Sequence, residues 1–159
     1  MSFRTLVHGN DPITIQFKGA MTEDADLSLL RLSPNAALEL DLTELTSINS
    51  IGIREFRNWS LKLDNRNMKV IFAPKCFIDQ VNMVPDLLPR WATIESFYVP
   101  YYSEQSGEES RVLFTAGQEF VIDGAQVQMR LPDVKDSKGN VMEPDVVTEN
   151  YFGFINRRG

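Results

Sequence analysis

The chain of 159 residues is poor in the side chains that most often carry chemistry in small proteins. It has one cysteine, Cys76, which excludes an internal disulfide and favours a reducing compartment. Its one histidine, His8, lies in a predicted turn, so we expect no catalytic Ser–His–Asp or Cys–His arrangement within a buried site. The nine glycines are scattered singly, which excludes a glycine-rich phosphate loop. We therefore expect a protein that is not an enzyme and needs no cofactor.

Cys76 itself allows two interpretations. It follows Lys75 at a predicted helix start, where a cation and the helix dipole would lower the pKa of a thiol. The favoured alternative is a bystander thiol in or near the core, because free cysteine is commonly a small buried residue.

Long apolar runs and an excess of basic residues are also missing. No segment approaches the ~20 apolar residues of a membrane span, and no apolar run typical of a signal peptide follows Met1 to Arg4. Acidic residues outnumber basic ones by 22 to 16, and the net charge of −6 disfavours nucleic acid as a partner. These features predict a cytoplasmic protein without membrane insertion, and 43% hydrophobic residues suffice for a core.

Residues 1–99 alternate strand-like and helix-like segments. Alternating or β-branched patterns predict strands over residues 5–7, 13–17, 38–42, 69–73 and 92–99. Gly19 is expected to break the second strand, and helices are predicted over residues 23–32, 50–64 and 76–84. This order predicts an α/β domain in which helices cover a mainly parallel sheet.

The pattern changes after Pro100. Short strands are predicted over residues 111–115, 120–122 and 127–130, joined by turns at Ala116-Gly117 and Asp123-Gly124. No long run of apolar residues at helical spacing follows. Residues 100–159 are therefore predicted to be a small all-β appendage with a boundary near residue 100. A length of about 60 residues is near the lower size limit of an independent domain, so this part is expected to pack against the first domain or against a partner.

The segment from Ala37 to Ile53 is the most informative part of the sequence. An alternating strand runs into a polar stretch, and a helix is predicted to begin at Asn49-Ser50-Ile51-Gly52. With the strand that ends in Gly19 and the strand over residues 69–73, this order resembles the STAS domain (sulphate transporter and anti-sigma factor antagonist family). The resemblance implies a bacterial cytoplasmic switch module that binds a partner, in some members a kinase-like anti-sigma factor.

The family motif at this helix start is of the Asp-Ser-Ser-Gly type, and its second serine is the phosphorylated residue of the switch. Here Asn49 stands at the aspartate position, Ser50 at the first serine and Ile51 at the phosphoacceptor. Because isoleucine has no hydroxyl, the switch cannot operate at Ile51. Ser50 is either a helix N-cap, which stabilises by roughly 1 kcal/mol, or a phosphosite one residue away. Gly52 is interpreted as a residue that lets the helix approach a strand closely.

A helix N-terminus with its dipole is a ready binding surface, so we expect the functional site here. The predicted partner-binding residues are Asn49, Ser50, Ile51, Gly52, Arg54 and Arg57. The predicted function is a signalling or adaptor protein that binds a regulatory kinase-like or scaffold protein. The alternative is a small anion or nucleotide sensor that uses the same helix N-terminus. The C-terminal part would supply a second contact surface or a brace in a homo-oligomer.

A second resemblance concerns residues 101–107 and 134–139. Both have the texture of the zinc-ribbon knuckle, Cys-x-x-Cys-Gly, without its cysteines. Ser103 and Ser106 replace them in the first, and Val134 and Ser137 in the second. Because a serine hydroxyl is a poor zinc ligand, the resemblance implies a ribbon-like domain without metal. The alternative is that these spacings occur by chance in polar turns.

Overall fold

The computed structural model describes residues 2–63, 66–124 and 126–158, and the side chains of residues 156–158 are not described. The chain has mixed α/β content in which strands predominate. Asp64 and Asn65, in the predicted turn after the first long helix, lie outside the described residues.

The N-terminal part alternates strands and helices. Its elements are β1 (Arg4–His8), β2 (Ile13–Met21), β3 (Leu38–Ile48), α1 (Ser50–Leu61), β4 (Met68–Ile71), α2 (Lys75–Met83) and β5 (Ala92–Ile94). The five strands form one sheet in the order β1-β2-β3-β4-β5. β1 is antiparallel to β2, and the other neighbours are parallel, with long crossover connections that contain α1 between β3 and β4 and α2 between β4 and β5.

The two faces of this sheet differ because buried apolar residues alternate with more exposed polar residues along β2 and the first half of β3. Ile13, Ile15 and Phe17 of β2 are buried on one face, and α1 and α2 pack on that side. The ring of Phe17 lies 6.2 Å from that of Phe56 in α1, and Phe56 lies 5.8 Å from Phe77 in α2. Edge-to-face pairs of this kind stabilise by about 0.5–1.5 kcal/mol beyond their buried area.

The opposite face is polar. Thr14 Oγ1 donates to Glu39 Oε1 at 3.2 Å, and the Nζ of Lys18 lies 3.1 Å from the Oε2 of Glu44. Neighbouring strands therefore satisfy one another's polar groups on this side.

The second and third strands are longer than the sequence predicts. Gly19 does not break β2, since it adopts a positive φ of 91° beside a register shift between β2 and β3. Such a bulge bends a strand without ending it, and glycine adopts this φ without strain. The pairing continues to Met21 and Ile48, so β3 leads directly to α1.

The helix predicted over residues 23–32 is wrong, since this segment forms turns and loop. Asp26 Oδ1 accepts hydrogen bonds from the backbone N (3.0 Å) and the Oγ of Ser28, which favours a turn over a helix. The N of Leu27 donates to Glu55 Oε1 of α1 at 2.9 Å. The local turn and this tertiary bond outweigh the leucine-rich pattern.

The C-terminal part begins with strands and ends with short helices. Its elements are β6 (Ser96–Tyr102), β7 (Glu109–Thr115), β8 (Phe120–Asp123), β9 (Gln126–Met129), β10 (Val134–Lys135), β11 (Val141–Pro144), α3 (Thr148–Tyr151) and α4 (Gly153–Arg158). One antiparallel sheet has the order β10-β11-β6-β7, and β8 and β9 form a separate hairpin. The predicted strands over residues 111–130 are therefore confirmed.

The prediction of an all-β C-terminal part is wrong for its last residues. Tyr151, Phe154 and Ile155 are spaced at three and four residues and are buried, which suits short helices more than a strand. The ring of Phe154 lies 5.1 Å from that of Phe97 in β6, so the helices pack onto the sheet. A stripe this short falls below the length at which periodicity identifies a helix from sequence.

The two parts are joined by hydrogen bonds and by the core. Ala73, just after β4, pairs with Phe97 in β6: its N donates to Ser96 O at 3.2 Å, and its O accepts from Tyr98 N at 2.8 Å. The buried apolar residues of both parts form one cluster. The predicted boundary between residues 1–99 and 100–159 falls within β6, and the division into two domains stays a prediction.

Candidate functional site

The start of α1 is built around Asn49. Asn49 Oδ1 accepts a hydrogen bond from Gly52 N at 2.9 Å, and its Nδ2 donates to Glu23 Oε1 at 2.9 Å. The backbone N of Asn49 donates to the O of Met21 at the end of β2. Asn49 is therefore the N-cap of α1, and the interpretation of Ser50 as the cap is wrong. The amide of asparagine caps as well as a serine hydroxyl does, and it reaches Glu23 in addition.

Ser50 and Ile51 begin the helix and face outward. Both are exposed, and 37% of the surface of Ile51 is accessible. The Ser50 side chain is therefore accessible to solvent, and its role as a phosphosite stays a prediction.

Gly52 is buried against β2. A Cβ at this position would lie 1.9 Å from the backbone O of Met21. This confirms the interpretation of Gly52 as a residue that permits close approach between helix and strand. Its role in the site is therefore to place its neighbours, since no side chain is available to touch a partner.

Arg54 is exposed on α1, whereas Arg57 is half-buried and pairs through its Nη2 with Oδ2 of Asp86. The side chains of this pair are 39% and 71% accessible, so the pair contributes little to stability. The structure thus places Asn49, Ser50 and Ile51 at the start of α1 and Arg54 on its exposed side, whereas Gly52 faces β2 and Arg57 is paired with Asp86.

Sequence reasoning missed three further exposed residues beside this site, Asn58, Leu61 and Lys62. Leu61 is 57% accessible although it is apolar. Asn58 and Leu61 follow Arg54 by four and seven residues, and Lys62 follows Asn58 by four; this helical spacing is the signal that could have found them. We define the outer face of α1 as the exposed residues Ser50, Ile51, Arg54, Asn58, Leu61 and Lys62.

The two knuckle-like segments, residues 101–107 and 134–139, are in contact. The contact is made by Asp136, which is not one of the two predicted knuckle positions of the second segment. Ser103 Oγ and Ser106 Oγ both donate to Asp136 Oδ2, at 2.7 and 2.6 Å. Asp136 is 6% accessible and Ser103 is fully buried. Val134 and Ser137, the predicted counterparts of the second knuckle, lie elsewhere: Val134 is in β10, and the Oγ of Ser137 donates to Glu108 Oε1 at 2.7 Å.

The carboxylate of Asp136 is saturated with donors. Besides the two serines, its Oδ1 accepts from the backbone N of Lys138 at 2.9 Å and of Asn140 at 2.8 Å. The hydrogen bond from the Ser106 hydroxyl above all, with those from the Ser103 hydroxyl and from the backbone N–H and side-chain amide of Asn140, holds the pKa of Asp136 well below its ordinary value, against the effect of burial. Within the described part of the chain, no group of three or more His, Cys, Asp or Glu side chains is arranged to hold a metal ion. We name Ser103, Ser106 and Asp136 the serine–aspartate cluster.

The signal for Asp136 was present in the sequence. An aspartate that begins a turn accepts from the backbone two residues on, and Gly139 completes this turn with a positive φ of 82°. The two serines, however, lie about thirty residues away, and their pairing with it depends on the sheet.

Cys76 is half-buried, and its Sγ lies 3.8 Å from the O of Leu45. Burial raises the pKa of this thiol. The structure therefore favours the bystander interpretation over an activated thiol.

No protein-family model matches the sequence, and no curated protein matches it significantly. None of the helices in the described ranges is both long and apolar enough to span a bilayer.

Proposed function

We propose that this protein is a non-catalytic cytoplasmic signalling or adaptor protein with a STAS-like domain, and that it binds a regulatory kinase-like or scaffold protein through Asn49–Gly52 and the outer face of α1. The arrangement of β3, the Asn49 cap and α1 supports this proposal, because the resemblance to STAS domains expects a partner-binding loop between a strand and a helix. The helices packed on one face of the sheet agree with the same resemblance.

The composition of the outer face of α1 carries the proposal. Ile51 and Leu61 expose apolar surface near its two ends, and Arg54 lies between them. Apolar and arginine side chains exposed together on a well-packed helix are typical of a protein-binding surface. The cap at Asn49 and the packing of Gly52 hold this surface in place without using it.

The alternative, a sensor of small anions or nucleotides, would use the N–H groups of the first helical turn. The N–H of Gly52 already donates to Asn49 Oδ1, which leaves one donor fewer for an anion. We therefore favour a protein partner. A thermal-shift series with phosphate, sulphate and nucleotides tests the alternative, since a ligand that binds only the folded state must raise the unfolding temperature.

Site-specific photo-crosslinking in the cells that produce the protein tests the main proposal. A photoreactive amino acid replaces Ile51 in one variant and Thr93, exposed in β5 on the polar face of the sheet, in the control. We expect a discrete protein adduct from position 51 and not from position 93. We also expect Arg54→Glu to remove the adduct at unchanged circular dichroism. Equal adducts at both positions, or none at position 51, would overturn the proposal.

A further inference from the structure

A groove of about 500 Å³ runs beside α1, between this helix and residues 22–37. Its lining is mixed. Leu30, Leu32 and Trp59 belong to its apolar part, which we call the floor, and polar side chains, among them Asn58 and Lys62 of the outer face of α1, make up much of the rest. Apolar side chains that adjoin polar groups can hold an apolar side chain of a partner and fix its orientation. The groove and the outer face of α1 are therefore one continuous surface.

The two ends of the groove carry opposite charges, and they differ in the hydrogen bonds that their charged groups make. Asp26 and Glu55 line one end, and both carboxylates accept hydrogen bonds from the backbone, at Ser28 and Leu27 respectively. Lys62 and Arg66 line the other end. Over residues 2–63, 66–124 and 126–155, neither of these two cations forms an ion pair, and Nη1 of Arg66 is buried without a hydrogen-bond partner. A buried guanidinium nitrogen is costly to leave unpaired, so this end of the groove is suited to a carboxylate.

We propose that the groove binds an acidic segment of the protein partner, with an apolar side chain on the floor at Leu30, Leu32 and Trp59 and a carboxylate at Lys62 and Arg66. This inference rests on the proposed function, because it assigns the chemistry of the partner that docks on the outer face of α1. Arg54 extends the cationic surface beyond the groove. Asp26 and Glu55 oppose a negative charge at the other end of the groove, so the carboxylate of the segment is assigned to Lys62 and Arg66 alone.

A second copy of the chain suits this surface less well. Two copies that met through α1 would bring Arg54 and Lys62 of one copy towards the same cations of the other. Like charges across an interface oppose association, so the acidic segment is the favoured occupant.

Titration of the purified, isotope-labelled full chain with a synthetic peptide tests the inference. The peptide is glutamate-rich with a single leucine; matched peptides replace the leucine by serine or the glutamates by lysine. We expect saturable NMR shifts at the Trp59 indole and at Lys62 and Arg66 with the first peptide. The serine peptide should bind roughly tenfold more weakly, since one buried leucine side chain accounts for about that factor. The lysine peptide should leave these signals unmoved.

Charge reversal supplies the matched variants. Lys62→Glu should weaken binding of the acidic peptide by about tenfold, whereas Lys135→Glu, at an exposed lysine of β10, should leave it unchanged. The inference is wrong if the acidic peptide gives no saturable shift, if the shifts fall elsewhere, or if the serine peptide binds equally well. A dimer in sedimentation that Lys62→Glu dissociates would likewise overturn it in favour of a second copy.

The crosslinking experiment separates this inference from the proposed function. If the adduct at position 51 persists in Lys62→Glu and the acidic peptide does not bind, the partner docks on α1 without using the groove. If position 51 gives no adduct, the proposed function itself is wrong, whatever the peptide does.

Discussion

The start of α1 and the serine–aspartate cluster are both short polar motifs, yet they use their polar groups in opposite ways. At the start of α1, one side chain, Asn49, satisfies the helix end, and its neighbours Ser50 and Ile51 remain exposed. In the cluster, Ser103 and Asp136 are buried and directed at each other. The first region thus leaves side chains exposed to solvent, whereas the second uses hydrogen bonds within the chain to join the segments that follow β6 and β10.

This difference teaches where polar residues contribute to stability and where they are free for binding. A buried, fully bonded carboxylate is costly to disturb, because each donor around it would lose its partner. An exposed serine or isoleucine at a helix start can change with little effect on folding. Substitutions in the two regions should therefore separate stability from partner binding.

The largest effect should come from Gly52→Ala. The added Cβ would lie 1.9 Å from the backbone O of Met21, so helix and strand must move apart. We expect a loss of about 3 kcal/mol in the free energy of unfolding, measured in urea. The control is Gly153→Ala, where the nearest atom, Oδ1 of Asn82, is 3.6 Å away, and a change within about 0.5 kcal/mol is expected. Equal losses in the two variants would contradict the packing role of Gly52.

A smaller loss should follow Ser103→Ala in the serine–aspartate cluster. The variant removes one hydroxyl donor from Asp136 in a buried site, and a loss of about 1–3 kcal/mol is expected in urea unfolding. Ser137→Ala is the control, because this exposed serine bonds to Glu108 where water can replace it. If the two variants lose the same stability, the cluster is no more important than a surface turn.

The same cluster predicts a dependence on pH. Because the pKa of Asp136 is lowered in the folded protein, its contribution is fully present above the ordinary value of 3.8 and is lost as the pH falls towards the folded value. Thermal unfolding temperatures should thus fall below about pH 4, and Asp136→Asn should flatten that fall. Asp26, whose pKa Ser28 also lowers, requires Asp26→Asn as a comparison. A pH profile of Asp136→Asn identical to that of the unchanged protein would exclude this role.

The sequence predicts local structure well where the determining contacts are local. The helix start at Asn49–Gly52 and the hairpins after residue 110 follow from turn residues and periodicity, and both are observed. The failures arise where distant contacts decide. The Glu55 carboxylate binds Leu27 N from another element, and residues 23–32 consequently do not form a helix. Asp136 becomes central only when the sheet brings Ser103 and Ser106 to it.

The candidate site stays a prediction, and the sequence could anticipate only part of its surroundings. The resemblance led to Asn49–Gly52, Arg54 and Arg57, of which Ser50, Ile51 and Arg54 are exposed on α1. The groove beside them depends on residues 22–37, whose path over α1 is set by tertiary contacts and not by periodicity.

A moderate effect should follow Asn49→Ala at the start of α1. The variant removes the acceptor for Gly52 N and the donor to Glu23, so we expect a loss of about 1 kcal/mol in urea unfolding. The control is Asn58→Ala on the same helix, where an exposed asparagine is replaced by a better helix former and no loss is expected. If Asn49→Ala costs nothing, the cap is not what holds the outer face of α1 in place.

The smallest effect on stability, and the sharpest separation of the two roles, should come from Ser50→Asp. A carboxylate in the first turn of α1 meets the positive end of the helix dipole, so stability should rise by about 0.3–1 kcal/mol. The same charge at Ser50 places an anion beside Arg54 and would repel the acidic partner segment, so the crosslinked adduct from position 51 should weaken. Asn58→Asp places the same charge in the last turn of α1, at the negative end of the dipole, and should not stabilise. Lower stability in Ser50→Asp would contradict the exposed position of Ser50. An unchanged adduct would show that a negative charge at this residue, including one added by phosphorylation, does not regulate the surface.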